Sequence, residues 1–205
     1  MQLDFEVLAN KGPARGSIIL DDYIPLVWKS ERNSGSPLGV YVFRFEGNML
    51  ELQTQGPEFE VFSFKLLRFR DLHEPCNLEE VPCEDGRVLV VPPPERELDE
   101  SADERERDYH FLYRDRRSLY QPFTVGFGDS FCEIRFSEDF PDRCVWHDTL
   151  KFCFMGSSLF SIRVEGLSED VIAKIRSMAA DPDFDEFFDL ETKRTIKRPR
   201  KRRGE

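Results

Sequence analysis

Leu3, Phe5 and Val7 alternate with Gln2, Asp4 and Glu6, the period-two pattern of a strand with one buried face. Asn10 to Gly16 interrupts it with glycine and proline. Apolar runs of strand length follow at Ile18–Leu20, Leu26–Trp28, Val40–Phe45, Met49–Leu52 and Phe59–Leu67, and Asn33 to Pro37 reads as a loop. Glu46-Gly47-Asn48 and Gln55-Gly56-Pro57 lie between the densest of these runs, so a meander of antiparallel hairpins is predicted. A loop over 73–86 leads to a strand at Arg87–Val91, which Pro92-Pro93-Pro94 stops. The β pattern returns at Tyr109–Tyr113, Phe123–Phe127, Phe131–Phe136, Val145–Phe154 and Leu159–Val164. Within it, Gly126-Phe127-Gly128 predicts a bend or bulge.

One segment has helical rather than strand periodicity. Val171, Ile172, Ile175, Met178 and Ala179 share one side of a helix. Ser168 precedes it as an N-cap, Glu169 and Asp170 suit its positive end, and Asp181-Pro182 ends it. The predicted fold is therefore all-β (a β-rich α+β arrangement), an antiparallel barrel or curved sheet with one C-terminal amphipathic helix. That order is the one expected of a pleckstrin-homology-like barrel, whose helix plugs an open end. Residues 1–180 form the predicted single domain. A charged insert at about 92–108 interrupts it, with one leucine and one alanine between Glu95 and Asp108, too little apolar surface to bury a face.

Charge divides the chain more sharply than periodicity does. Residues 1–192 carry 21 basic and 39 acidic side chains, a net of −18, whereas Lys193 to Arg203 place eight basic residues in eleven positions. An anionic body repels phosphate backbones and favours basic partners. No run reaches the roughly 18 apolar residues of a membrane span, and the first residues lack the basic and apolar regions of a signal peptide. Five cysteines cannot all pair internally, and reduced thiols in a nuclear or cytosolic compartment are expected.

The segment 181–205 is predicted to be a tail outside the core. Phe184, Phe187, Phe188 and Leu190 are interleaved with Asp and Glu. Such a strip can fold into a groove while its carboxylates meet a basic rim, or it can dock back on the body. It resembles the acidic–aromatic segments by which histone chaperones cap basic histone surfaces, and acidic activation-type peptides. Lys197, Arg198, Arg200, Lys201, Arg202 and Arg203 look like a monopartite nuclear localisation signal, and the same residues can bind a polyanion by counterion release.

Candidate chemistry in the body is sparse. His73, Cys76, Cys83, Cys144 and His147 are the only candidates for a zinc site. No Cys-x-x-Cys knuckle joins them, so no metal and no cofactor is assigned; scattered thiols and histidines explain the same residues. Ser130, His147 and Asp148 lack a nucleophile elbow. Asp129, Glu133 and Arg135, or Asp142 and Lys151, make no defined carboxylate site in so acidic a chain. Tyr109, Tyr113 and Tyr120 beside Arg114, Arg116 and Arg117 offer a stacking surface for single strands, or an aromatic core strand and a charged turn. The sequence thus predicts a non-enzymatic nuclear scaffold or adaptor for a basic protein partner, such as a histone or a subunit of a chromatin or RNA-processing complex. The alternative is a nucleic-acid adaptor that uses the tail and the Tyr/Arg strand.

Overall fold

Leu3 and Phe5 are buried and Asp4 and Glu6 exposed, so β1 (Asp4–Ala9) is the one-faced strand its pattern predicts. The structure, a computed structural model, describes residues 3–9, 15–20, 24–31, 37–70, 72–91 and 115–179. The charged insert, Tyr109, Tyr113, Arg114 and the tail from 181, with every partner-binding and localisation residue assigned to it, lie outside those residues.

The other strands are β2 (Gly16–Ile19), β3 (Leu26–Ser30), β4 (Gly39–Phe45), β5 (Asn48–Gln55), β6 (Glu60–Arg68), β7 (Leu72–His73), β8 (Cys83–Val91), β9 (Asp115–Tyr120), β10 (Thr124–Phe127), β11 (Phe131–Arg135), β12 (Arg143–His147), β13 (Leu150–Met155) and β14 (Ser158–Glu165); α1 spans Glu169–Ala179. The predicted hairpin β4–β5 turns at Glu46 (φ 44°) and Gly47 (φ 97°), the left-handed pair that a two-residue hairpin connection needs. The stretch read as one apolar run from Val145 to Phe154 is two strands, β12 and β13, folded at Asp148 and Thr149.

The fold is mostly β, a closed five-strand barrel with extra strands and one short helix. The ring is not a meander of consecutive strands. The first part of β8 runs parallel to β12 and its remainder antiparallel to β1. β12, β13 and β14 follow as antiparallel neighbours, and β1 meets β14 at Asp4 and Ser158. The strands β2, β3, β6, β5, β4 and β9 continue the sheet, joined to the ring through Glu60 and Leu89. Trp28, Tyr41, Phe43, Phe64 and Phe69 from this extension and Phe152, Phe154, Ile162 and Val164 from the ring form one continuous core. Asn48 ties the extension to its neighbours: its Nδ2 donates to Phe123 O at 2.7 Å and its Oδ1 accepts from Arg70 N at 2.7 Å.

The helix is where the sequence places it. Ser168 caps it, with Ser168 Oγ accepting from Val171 N at 3.4 Å. Ile172 and Ile175 are buried in the main core with Leu167, and Val171 packs against it.

Candidate functional site

Residues paired across neighbouring strands share a face of the sheet. The register therefore lines up His73, Gly126, Glu133, Arg163, Lys151, Trp146 and Asp85 in one row across β7, β10, β11, β14, β13, β12 and β8. A second row, two residues along the same face, holds Arg135, Ser161, Cys153, Cys144 and Cys83. Their neighbours Cys132, Ile134, Val145, Phe152, Ile162 and Val164 belong to the main core. Alternation thus sends polar and sulfur-bearing side chains outward, as on a solvated sheet face.

This face is nevertheless covered. The segment 74–82 crosses it, and Leu78 and Val81 pack with Cys144, Cys153 and Phe160 in a second apolar cluster that Cys76 abuts. The polar clamp beneath centres on Glu133, which is fully buried. Its Oε1 accepts from His73 Nε2 at 3.0 Å and Cys76 N at 3.2 Å. Its Oε2 accepts from Arg163 Nε at 3.1 Å and Nη2 at 2.5 Å. A carboxylate only accepts, so the His73 proton in this bond sits on Nε2. Arg163 also donates to Cys76 O at 2.6 Å and lies 4.1 Å over the Phe131 ring. Arg135 Nη1 reaches Cys76 Sγ at 3.1 Å. Burial alone would raise the Glu133 pKa; the hydrogen bonds from His73 and Arg163, the Arg163 charge and the Cys76 amide outweigh it and leave the carboxyl below its ordinary value. Glu165, at the end of β14, is instead pushed up, chiefly by burial.

The clamp explains Gly126. A Cβ there would lie 2.9 Å from His73 Nε2 and 3.0 Å from His73 O. The glycine keeps regular register between β7 and β11, so it is a close-approach position and not the bend or bulge predicted for it. The loop expected over 73–86 is likewise shorter, because β8 starts at Cys83 and His73 ends β7.

The weak metal candidates separate. Cys144 and His147 lie three residues apart on one strand, and an odd spacing on a strand points them to opposite faces. Cys144 joins the outward row, whereas His147 is buried inside; its Nδ1 accepts from Val88 N at 3.3 Å and its ring lies 5.4 Å from that of Trp28. Among the described residues no group of three potential ligands has metal-binding geometry. Cys144 and Cys153 are joined in a disulfide, which departs from the expectation of reduced thiols; the two residues face each other directly on β12 and β13. Cys76, Cys83 and Cys132 are free.

Of the other carboxylate groupings, Glu133 and Arg135 stay together on one face, both reaching Cys76. Asp142 Oδ2 accepts from Gly156 N at 2.8 Å in the β13–β14 turn, and Asp148 accepts from Gly16 N.

A cleft of about 400 Å³ lies elsewhere among the described residues, lined by Tyr120, Phe136, Met155, Leu159 and Phe160 together with Gln121, Ser137, Asp139 and Ser158. Tyr120 is 75% exposed, Phe140 beside it in sequence to Asp139 60%, and Met155 41%. Tyr120 leans on Phe45, ring centroids 5.3 Å apart. The carboxylate in the lining, Asp139, accepts from Ser137 Oγ at 3.0 Å, and Glu138 next to it is almost fully exposed. The lining thus combines aromatic and aliphatic side chains with polar ones and one carboxylate, Asp139, while Glu138 outside it pairs with Arg135 Nη2 at 3.5 Å; apolar surface with a few polar groups is the build of a recognition groove. The sequence offers Tyr120 either as a stacking residue for single strands or as part of an aromatic core strand; at 75% exposure it is not a core residue, and Met155, which also lines the cleft, carries no periodic signal.

No family model matches this chain, and no curated protein matches it in sequence.

Proposed function

We propose that this β-barrel protein is a non-enzymatic interaction module of the nucleus that engages a basic protein partner. The observation that carries the reading is an aromatic-lined cleft that includes Asp139, on a body of net charge −18 over residues 1–192. A segment that alternates Lys or Arg with apolar side chains suits that cleft, with Tyr120 and Met155 as apolar contacts and Asp139 as the charged contact. The acidic–aromatic strip with Phe184, Phe187, Phe188 and Leu190 extends the same chemistry. The cationic residues Lys197 to Arg203 supply the nuclear address. A histone or a basic subunit of a chromatin or RNA-processing complex is the partner class.

The test titrates the labelled full-length chain with core histones, and separately with duplex DNA and single-stranded RNA, across a range of salt. Histones should bind more tightly than either nucleic acid. Tyr120→Glu with Met155→Glu should weaken the histone complex by roughly tenfold, about 1.4 kcal/mol. Tight nucleic-acid binding that falls steeply with salt in the wild type, with histones bound no better, would instead favour the adaptor reading through the basic tail and β9.

A further inference from the structure

Cys83, Cys144 and Cys153 occupy consecutive strands β8, β12 and β13 in direct register. Neighbouring strands are about 4.8 Å apart and paired residues share a face, so the three sulfurs form a line on the outward side of the sheet. Cys144 and Cys153, at the inner end, are fully buried and disulfide-bonded beneath Leu78 and Val81. Cys83, at the outer end, is a free thiol open to solvent. A buried disulfide with an accessible thiol one strand away is the arrangement that thiol–disulfide exchange uses.

We propose that Cys83 is the gateway through which the Cys144–Cys153 pair exchanges electrons with small thiols and disulfides of the glutathione class. Starting from the dithiol, the Cys83 thiolate attacks glutathione disulfide, forming a Cys83–glutathione mixed disulfide and releasing one glutathione thiolate. The Cys144 thiolate then attacks Cys83 Sγ and expels the second glutathione, leaving Cys83 bonded to Cys144. Finally the Cys153 thiolate attacks Cys144 Sγ, closing Cys144–Cys153 and returning Cys83 to the thiol. Two protein thiols have been oxidised and one glutathione disulfide reduced to two thiols. The reverse sequence, with excess reduced glutathione, opens the pair. Partial burial raises the Cys83 pKa above the ordinary thiol value, Lys151 from β13 lowers it and Asp85 on β8 raises it, so the relay runs faster as pH rises and more of Cys83 is thiolate. A pair of this kind, in a reducing compartment where structural disulfides are rare, cycles with the redox poise. The inference rests on the nuclear address proposed above for its reducing compartment, and not on the identity of the partner.

The test uses the reduced full-length chain, pulsed with glutathione disulfide, quenched with acid, alkylated and mapped by mass spectrometry. Wild type should close Cys144–Cys153, and Cys83→Ser should slow closure by roughly tenfold or more, with Cys76→Ser close to wild type. In Cys153→Ser the relay should stop one step early and yield a Cys83–Cys144 disulfide. Closure in Cys83→Ser as fast as wild type would overturn the proposal, since the pair would then react directly. So would glutathione captured on Cys76 in place of Cys83, or no Cys83–Cys144 bond in a Cys153→Ser protein whose circular dichroism matches wild type. Where Cys153→Ser does not fold, the Cys83→Ser rate decides alone.

Discussion

Glu133→Gln is the most searching perturbation of the covered face. The carboxylate accepts from His73 Nε2, Cys76 N and two nitrogens of Arg163 at distances from 2.5 to 3.2 Å. Glutamine keeps the volume but offers one acceptor oxygen, and its amide turns two hydrogens toward groups that are themselves donors. A hydrogen bond to a charged group contributes about 1.5–3 kcal/mol, and breaking a buried ion pair from one side costs about 3–5 kcal/mol. Arg163 keeps Cys76 O and the Phe131 ring, which sets the expected loss near the lower end, about 3 kcal/mol. Urea unfolding at neutral pH, with the slope m unchanged, measures it. The partly exposed Glu51–Lys65 pair, 2.6 Å apart, is the internal control; Glu51→Gln should cost less than about 1 kcal/mol. The Glu133 carboxyl is depressed on folding, so its contribution is complete above the ordinary value of 4.5 and fades as pH falls through the lower folded value. The gap between wild type and Glu133→Gln should therefore narrow in acid. A Glu133→Gln protein as stable as Glu51→Gln, or a gap that widens below pH 4.5, would refute the clamp.

Gly126→Ala should lose about 1–3 kcal/mol by forcing His73 away from its neighbour, and proteolysis within 74–82 should accelerate in that variant. Ile175→Ala, which empties a fully buried site beneath α1, should cost about 2–5 kcal/mol in thermal or urea unfolding. Phe187→Ala should weaken capture of the basic partner while leaving the melting temperature of the body unchanged. Equal loss of folding in the Ile175 and Phe187 variants would show that the strip belongs to the core.

The strands were legible because one-sided burial writes itself into alternation. Leu3 and Phe5 against Asp4 and Glu6 announce β1, and the Ser168 cap with Ile172 and Ile175 announces α1. Partnership was not legible. Nothing local in residues 4–9 says that they pair with both 86–91 and 158, because such pairing is decided by distant segments. Glu133 shows the same limit. Its place between Cys132 and Ile134 marks it as outward-facing, and only the segment 74–82 laid over it turns an outward carboxylate into a buried one. The zinc candidates failed for a reason the sequence did contain: an i, i+3 spacing suits a helix or a turn, and Cys144 to His147 is a strand. The three-cysteine line was out of reach, since it depends on a parallel pairing between β8 and β12.

The place of β1 in the ring has a consequence for synthesis. Ser157 Oγ donates to Asp4 Oδ1 across 153 positions of sequence, so the seam between the first and last strands must wait until almost the whole described fold has been translated. At ribosomal speed that delay is on the order of ten seconds. During it β14 is absent and the Asp4–Phe5 end of β1, which the structure pairs at Ser157 and Ser158, has its backbone groups open, a template for pairing with a neighbouring nascent chain. Slowing translation late in the message should therefore raise aggregation of this protein more than slowing it early, with chaperone demand greatest just before the final strand emerges.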